Sequence, residues 1–331
     1  MKKNFKKLPA AAIFAGAAAA GAAAAAYATT HLLVQTALDR KIPHFMKKAG
    51  GLISGSEKNS EFKLACEEAA SRLASREHEI VHISAHDGVD LVGHFFPCEN
   101  AKRVIIAFHG WRSSWKCDYG IASQLFFKNG CSVLFAEQRG QNNSGGDYMG
   151  FGLTERFDCA DWALWAMCRC NRAIPIYLAG VSMGAATVMM ASDLKMPENV
   201  RGIIADCGFT SPKAIWKHVA HKNLHIFYGL RGYLADILCK SKINMASGDF
   251  STTDALSKTT LPVLFIHGSD DHFVPIEMTY ENYKACASEK KLLVIPGADH
   301  AMSVFTDPAA YERALTEFWK EVEGNQKESG L

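Results

Sequence analysis

The chain has 331 residues, 48% hydrophobic and 21% charged. That excludes a disordered or collagen-like polymer and leaves room for one or two domains with a full core. The net charge of +2 hides an asymmetry: residues 1–48 sum to +7 and the other 283 to −5. A mildly acidic globular part argues against a nucleic-acid partner.

The basic charge brackets an apolar stretch. Residues 2–7 read KKNFKK, and residues 8–28 follow without a charge, 14 of those 21 being Ala. About 20 apolar residues can cross a bilayer as a helix. Lysines ahead of the stretch predict an N-in, C-out orientation, with the globular part outside the cytoplasm. The stretch exceeds the apolar core of about 7–15 residues in a signal peptide, which points to an uncleaved membrane anchor over 1–28. Ala26-Tyr27-Ala28 supplies a small-x-small site for the alternative, secretion after cleavage near Ala28. The ten cysteines are scattered with no Cys-x-x-Cys, so a zinc ribbon or thioredoxin-like motif is not supported. They read as small buried hydrophobes of a reducing setting, which conflicts with export.

Residues 29–78 read as a helical adaptor. Two helical pieces, Thr30–Met46 and Glu61–Arg76, flank the Gly/Ser-rich break GGLISGSEKNS. The second piece has Phe62, Leu64, Ala65, Ala69 and Leu73 as its apolar positions. From residue 79 the pattern changes. EIVHIS (79–84) and DLVGHFF (90–96) flank the turn His86-Asp87-Gly88 and predict an antiparallel hairpin. Six continuous apolar runs follow, at 103–109, 131–137, 174–180, 200–206, 261–267 and 291–297. Such runs suit parallel strands buried on both faces. Helical stretches at 118–129, 154–170, 183–195, 275–288 and 308–323 separate them. The alternation predicts an α/β class: a doubly wound, mostly parallel sheet of about eight strands over 79–323, with 324–331 as a tail. Residues 210–256 interrupt it with aromatic, His-rich helical sequence and are expected to form a small helical cap.

Gly180-Val181-Ser182-Met183-Gly184 matches G-x-S-x-G between an apolar run and a helix-forming run. That context makes Ser182 the candidate nucleophile on a sharp strand-to-helix turn. Gly180 and Gly184 remove side chains that would clash there. A Ser hydroxyl needs a base, and the base an orienting acid, in the chain order Ser, Asp/Glu, His. His300, after the last apolar run, is the candidate base. Asp271, in HGSDDHFVP after the run at 261–267, is the candidate acid, with Asp270 its rival. Both sit at strand ends, where open α/β sheets place ligand chemistry. The oxyanion hole needs two donors. The backbone amides of Met183 and Trp111 are the candidates, with Gly110 allowing a close backbone approach.

These segments, HGWRSS, EQRGQNNSGG, GVSMG, HGSDDHFVP and GADH, stand in an order and spacing that resembles the α/β-hydrolase superfamily over about residues 79–323. The chain is similar to a bacterial branch described as serine aminopeptidase-like or esterase-like hydrolases, many with an N-terminal membrane segment. The segment Phe151-Gly152-x-x-Glu155-Arg156-x-Asp158-x-x-x-Trp162 also resembles that branch. The resemblance implies the α/β-hydrolase fold and a serine hydrolase working through an acyl-enzyme on a small-molecule ester or amide. It departs at Glu137-Gln138-Arg139-Gly140-Gln141, where the family usually shows an Asp first and a His-Gly after Arg-Gly.

The expected function is carboxylic ester hydrolysis, with a serine aminopeptidase-type peptidase or amidase, a thioesterase and a catalytically silent binding scaffold as alternatives. No cofactor and no metal are expected. His109 and His267 read as structural residues, the former packing the oxyanion loop. Asp206 reads as an N-cap for the segment after its strand. His218, His221 and His225 are spaced to share one face of a cap helix. The cap's apolar residues, Phe209, Ile215, Trp216, Leu224, Phe227 and Tyr228 among them, suit either an acyl pocket or the lid's own core. Oligomeric state is not legible.

Overall fold

A computed structural model describes residues 10–41 and 60–329. The strands are β1 (Glu79–Ser84), β2 (Asp90–Phe96), β3 (Arg103–Phe108), β4 (Cys131–Ala136), β5 (Ile176–Val181), β6 (Val200–Asp206), β7 (Val263–Gly268) and β8 (Lys290–Ile295). The helices before the elbow are α1 (Ala10–Leu38), α2 (Ser60–Ser75), α3 (Trp115–Tyr119), α4 (Ala122–Lys128) and α5 (Glu155–Arg169). After them come α6 (Met183–Met190), α7 (Pro212–His218), α8 (Gly229–Ile243), α9 (Thr252–Leu256), α10 (Ile276–Ala285), α11 (Ser303–Thr306) and α12 (Pro308–Ser329).

The strands form one eight-stranded sheet in the order β1-β2-β4-β3-β5-β6-β7-β8. The β1–β2 and β2–β4 pairs are antiparallel, and every other pair is parallel. This is the mostly parallel sheet that the alternation predicts, in the α/β-hydrolase arrangement that the resemblance implies. Alternate side chains divide each inner strand between the two faces. Val104, Ile106 and Phe108 of β3 join Leu178 and Trp162 in the core on one side. Ile105 and Ala107 join Tyr177, Phe135 and Trp319 on the other. Both faces are covered by helices, which explains why the sequence shows continuous apolar runs instead of alternation.

The N-terminal region differs from the expectation. Among the described residues no helix is long and apolar enough to cross a membrane. The basic residues 2–7 lie outside the described residues. Helix α1 spends its C-terminal half on the domain: Thr30, Val34, Thr36 and Leu38 are buried, whereas residues 20–25 are exposed. It ends at Leu38, not at Met46, where Asp39 bridges to Tyr148 and the Met149 amide donates to the Leu38 carbonyl at 2.7 Å. Positions 42–59, including the Gly/Ser-rich break, lie outside the described residues. Helix α2 buries Ala69, Ala70 and Leu73 but leaves Leu64 exposed.

The expected cap span of 210–256 divides. Helices α7 and α8 stand over the ends of the strands, with α8 packed on α1. Helix α9 belongs below them, because Leu256 lies in the core beside Val263 and Phe265. The three cap histidines do not share a helix face. Helix α7 stops at His218, a π turn runs over Val219–Asn223, and His225 takes a positive φ of 53°.

Candidate active site

The site lies at the C-terminal ends of β3, β5, β6, β7 and β8. Parallel strands all deliver their following loops to that edge. Ser182 follows β5 with φ 55° and ψ −115°, and α6 starts at the next residue. A non-glycine residue in that region stores strain, the mark of a nucleophile elbow. The two glycines are required by backbone contacts. A Cβ on Gly184 would lie 1.9 Å from the Phe108 carbonyl oxygen, and one on Gly180 2.2 Å from the Gly184 carbonyl oxygen. The Ser182 amide donates to the Asp206 carbonyl at 2.9 Å, fastening the turn to β6.

The structure brings Ser182, His300 and Asp271 together. His300 Nε2 is 3.0 Å from Ser182 Oγ, and His300 Nδ1 is 2.7 Å from Asp271 Oδ2. The other oxygen, Asp271 Oδ1, accepts the amides of Phe273 and Val274 at 2.9 and 2.8 Å. His267 Nε2 lies 3.2 Å from Asp271 Oδ2, while its Nδ1 meets Thr279 Oγ1 at 2.6 Å. His267 is a fully buried prop, as its strand-end position suggests. Asp270 is exposed and bonded to Ser269, away from the imidazole.

Burial alone would raise the Asp271 carboxyl, but the charge of His300 and bonds from His267 and His300 hold it far below the usual range. Burial alone would lower His300, yet the adjacent Asp271 carboxylate keeps it well above its ordinary value. The pair is thus built to stabilise an imidazolium once a proton arrives.

The loop after β3, expected to supply an oxyanion donor, is held around one amide. The Gly110 amide donates to Asp118 Oδ2 and the Arg112 amide to Gln141 Oε1, both at 2.6 Å. The Trp111 amide between them is spent on no protein acceptor among the described residues. Met183 opens α6, where the first amides lack an intrahelical acceptor. His109 is buried beneath the loop. Its Nδ1 donates to the Gly110 carbonyl at 2.8 Å, and its Nε2 accepts the Gln138 amide at 3.2 Å. Burial lowers its pKa, so it stays neutral and structural.

The unusual loop at 137–143 also has a role here. Gln141 holds Arg112, and Glu137 accepts from the Asn143 amide at 2.6 Å and from His94 Nε2 at 2.9 Å. Arg139 reaches Asp158 and Asp87, and Glu155 receives the amides of Gly150 and Gly152 at 2.6 and 2.9 Å. The segment around 151–162 therefore braces loops instead of touching the reacting atoms.

Asp206 is not an N-cap. It is buried, accepts from Ser303 Oγ at 3.0 Å, and has its pKa pushed up to about 6 by burial. The cap of α7 is Ser211, whose side chain accepts the Ala214 amide. Asp118, Gln141 and Cys207 were not singled out as site residues from the sequence. Asp118 looked like ordinary helix, and Cys207 was one of ten scattered thiols. Cysteines 131, 159, 207, 239 and 286 are buried, and all ten are free.

Two groups bring three potential metal ligands within 4.8 Å of one another: Cys207, Asp271 and His300, and His86, Asp158 and Asp161. In the first, Asp271 is committed to His300, and in the second Asp158 is committed to Arg139.

A cavity of about 110 Å³ opens at Ser182. The cap contributes Ile215, Trp216 and Leu224 to its wall, and the strand-end loops contribute Phe151, Phe209 and Phe273. Among the described residues that line it, Arg231 is the one charged group and no carboxylate occurs. A further part of the wall is helix α1, which the sequence placed apart from the site.

Comparison with known proteins agrees with the fold. The family described as serine aminopeptidase, S33 matches residues 99–242. The uncharacterised Bacillus subtilis protein YqkD is 26% identical over 235 residues, spanning 70% of this chain and 75% of that protein. YfhR of Escherichia coli K12 is also 26% identical, over 69% of this chain and 75% of that protein. Among solved structures, the Pyrococcus furiosus esterase Pf2001 superposes with a TM-score of 0.62 at 21% identity, covering 76% of this chain and 93% of that one. Est1E from Butyrivibrio proteoclasticus, solved with ferulic acid bound, gives a TM-score of 0.57 at 21% identity, covering 74% and 99%. The solved structures share the fold of this chain.

Proposed function

We propose that this α/β-hydrolase is a serine hydrolase that cleaves carboxylic esters through an acyl-enzyme. One observation carries the proposal: a strained Ser182, in line with His300 and Asp271, faces an apolar cavity without a carboxylate. In this mechanism Ser182 Oγ attacks the ester carbonyl while His300 Nε2 takes its proton. The amides of Met183 and Trp111 hold the developing oxyanion. The bond from acyl carbon to alkoxide then breaks, and His300 hands its proton to the departing alcohol. Water, deprotonated by His300, attacks the acyl-enzyme and releases the acid.

The match to a family described as serine aminopeptidase favours an amide as the second reading. Gripping a free α-amine calls for an acidic partner, and the cavity offers apolar side chains and Arg231 instead. The fold shared with a solved Pyrococcus furiosus esterase supports the ester. The test compares nitrophenyl esters with aminoacyl nitroanilides, with Ser182→Ala as the blank. Ester turnover lost in the blank supports the proposal. Nitroanilide turnover in preference to esters overturns its ester half.

A further inference from the structure

Helix α1 looks from sequence like an appendage, yet Thr30, Leu33, Val34 and Ala37 all line the cavity that opens at Ser182. Their spacing of three, four and seven residues places them on one helix face. The face is apolar throughout. The Thr30 hydroxyl donates back to the Ala26 carbonyl at 2.7 Å, so the side chain's polar group is satisfied within its own helix.

The helix end is clamped to the oxyanion loop and the following loop. Trp111 Nε1 donates to the Ala37 carbonyl at 2.8 Å. The Arg112 guanidinium donates to the carbonyls of Thr36 and Asp39 at 2.7 and 2.6 Å. A cation there also suits the negative end of the helix dipole. Lys242 of α8 pairs with Asp39 at 2.7 Å, and both side chains are largely shielded from solvent. These bonds use the last carbonyls of α1, which a helix otherwise leaves unsatisfied.

We infer that α1 is the specificity wall of the acyl pocket: Leu33, Val34 and Ala37 set the length of a linear acyl chain accepted by Ser182. This rests on the serine-hydrolase reading above. The chemistry disfavours cationic acyl groups, because the lining holds no carboxylate to partner them and Arg231 would repel them. An apolar cavity of roughly 150 Å³ takes a benzene-sized guest. The cavity of about 110 Å³ is smaller than that and therefore holds a chain of about four carbons. Up to that length, each buried methylene is worth roughly fourfold in binding.

The test uses the full chain and fluorophosphonates bearing ethyl, hexyl and dodecyl chains. Ser182 Oγ attacks phosphorus, His300 takes the Ser proton, and the P–F bond breaks to release fluoride. Intact mass gives the labelling rate for each chain length, and peptide mapping places the label. Three variants accompany the wild type: Val34→Phe, Leu33→Ala, and Ala28→Leu on the exposed part of α1. The wild type is expected to label faster with hexyl than with ethyl and to gain little from dodecyl. Val34→Phe should lower the hexyl-to-ethyl ratio by on the order of tenfold. Leu33→Ala should raise the dodecyl-to-hexyl ratio several-fold, and it decides alone if Val34→Phe does not fold. Ala28→Leu should keep the wild-type ratios. Labelling of Ser182 with the same ratios in every folded variant overturns the inference while leaving a serine hydrolase. A folded wild type whose Ser182 no probe labels overturns both.

Discussion

The Trp111 indole donates to the Ala37 carbonyl at 2.8 Å, while the same residue's backbone amide meets no protein acceptor among the described residues. One residue thus joins the pocket wall to the proposed oxyanion donor. Trp111→Phe keeps the amide and the ring but removes the indole bond. A net loss of about 1 kcal/mol is typical for one hydrogen bond. The expected outcome is a kcat/KM lowered roughly fivefold on a hexanoyl ester, measured by steady-state kinetics.

The three residues at the elbow should differ in cost. Ser182→Ala and His300→Ala are expected to abolish ester turnover without changing the thermal melt. Asp271→Asn should cost about 10³–10⁴ in kcat, because the imidazole loses its orienting anion. Asp270→Asn, at an exposed carboxyl turned away from His300, should stay within about twofold of wild type. An Asp270→Asn loss larger than that of Asp271→Asn would reassign the acid.

The pH dependence has a definite sign. His300 must be neutral to accept the Ser182 proton, and the Asp271 carboxylate holds its pKa above the ordinary value of about 6.5. The rate is therefore low in acid and rises as pH passes through the raised His300 pKa. In Asp271→Asn the imidazolium loses its anion, so the residual activity should show an acid limb shifted to lower pH. A kcat/KM profile against pH for both proteins checks this. A limb that moves upward in the variant would contradict the electrostatic assignment.

Asp118 has a supporting part. It accepts the Gly110 amide and bonds Ser113, so it holds the oxyanion loop without touching substrate. Asp118→Ala should lower kcat by on the order of tenfold with KM changed little, since the loss falls on the transition state. The split between kcat and KM is the readout that separates loop positioning from general destabilisation.

The elbow glycines carry a stability prediction. A Cβ at position 184 would lie 1.9 Å from a backbone oxygen that β3 cannot move. Overpacking of that kind costs about 1–3 kcal/mol or more. Gly184→Ala should lower Tm by about 4–10 °C and reduce ester turnover, measured on one preparation by melting and kinetics.

The sheet was legible because its strands are continuous apolar runs, and a strand buried on both faces leaves that trace. The elbow was legible because steric demand selects Gly180 and Gly184 around Ser182. Asp271 and His300 followed from strand ends and chain order, and the structure brings both to Ser182. What the sequence hid is contact made through backbone. Trp111 and Arg112 bind the carbonyls of residues 36, 37 and 39, and a carbonyl has no side-chain signature. The start of the stretch read as a helical adaptor therefore hid a face, Thr30 to Ala37, that packs on the site. The cap histidines misled for a related reason. Their spacing suited a helix, but a π turn at 219–223 and the positive φ of His225 break the face. Asp206 looked like a cap because it ends a strand, whereas burial beside Ser303 sets its environment.

The central claim is that chemistry passes through an acyl group on Ser182. Its most direct test is rapid acid quench of the enzyme during turnover of nitrophenyl hexanoate, followed by intact mass and peptide mapping. The account predicts a hexanoyl adduct on the peptide containing Ser182, formed with a burst of nitrophenol and absent from Ser182→Ala. Ester turnover by Ser182→Ala at the wild-type rate, with no adduct in either protein, would contradict it.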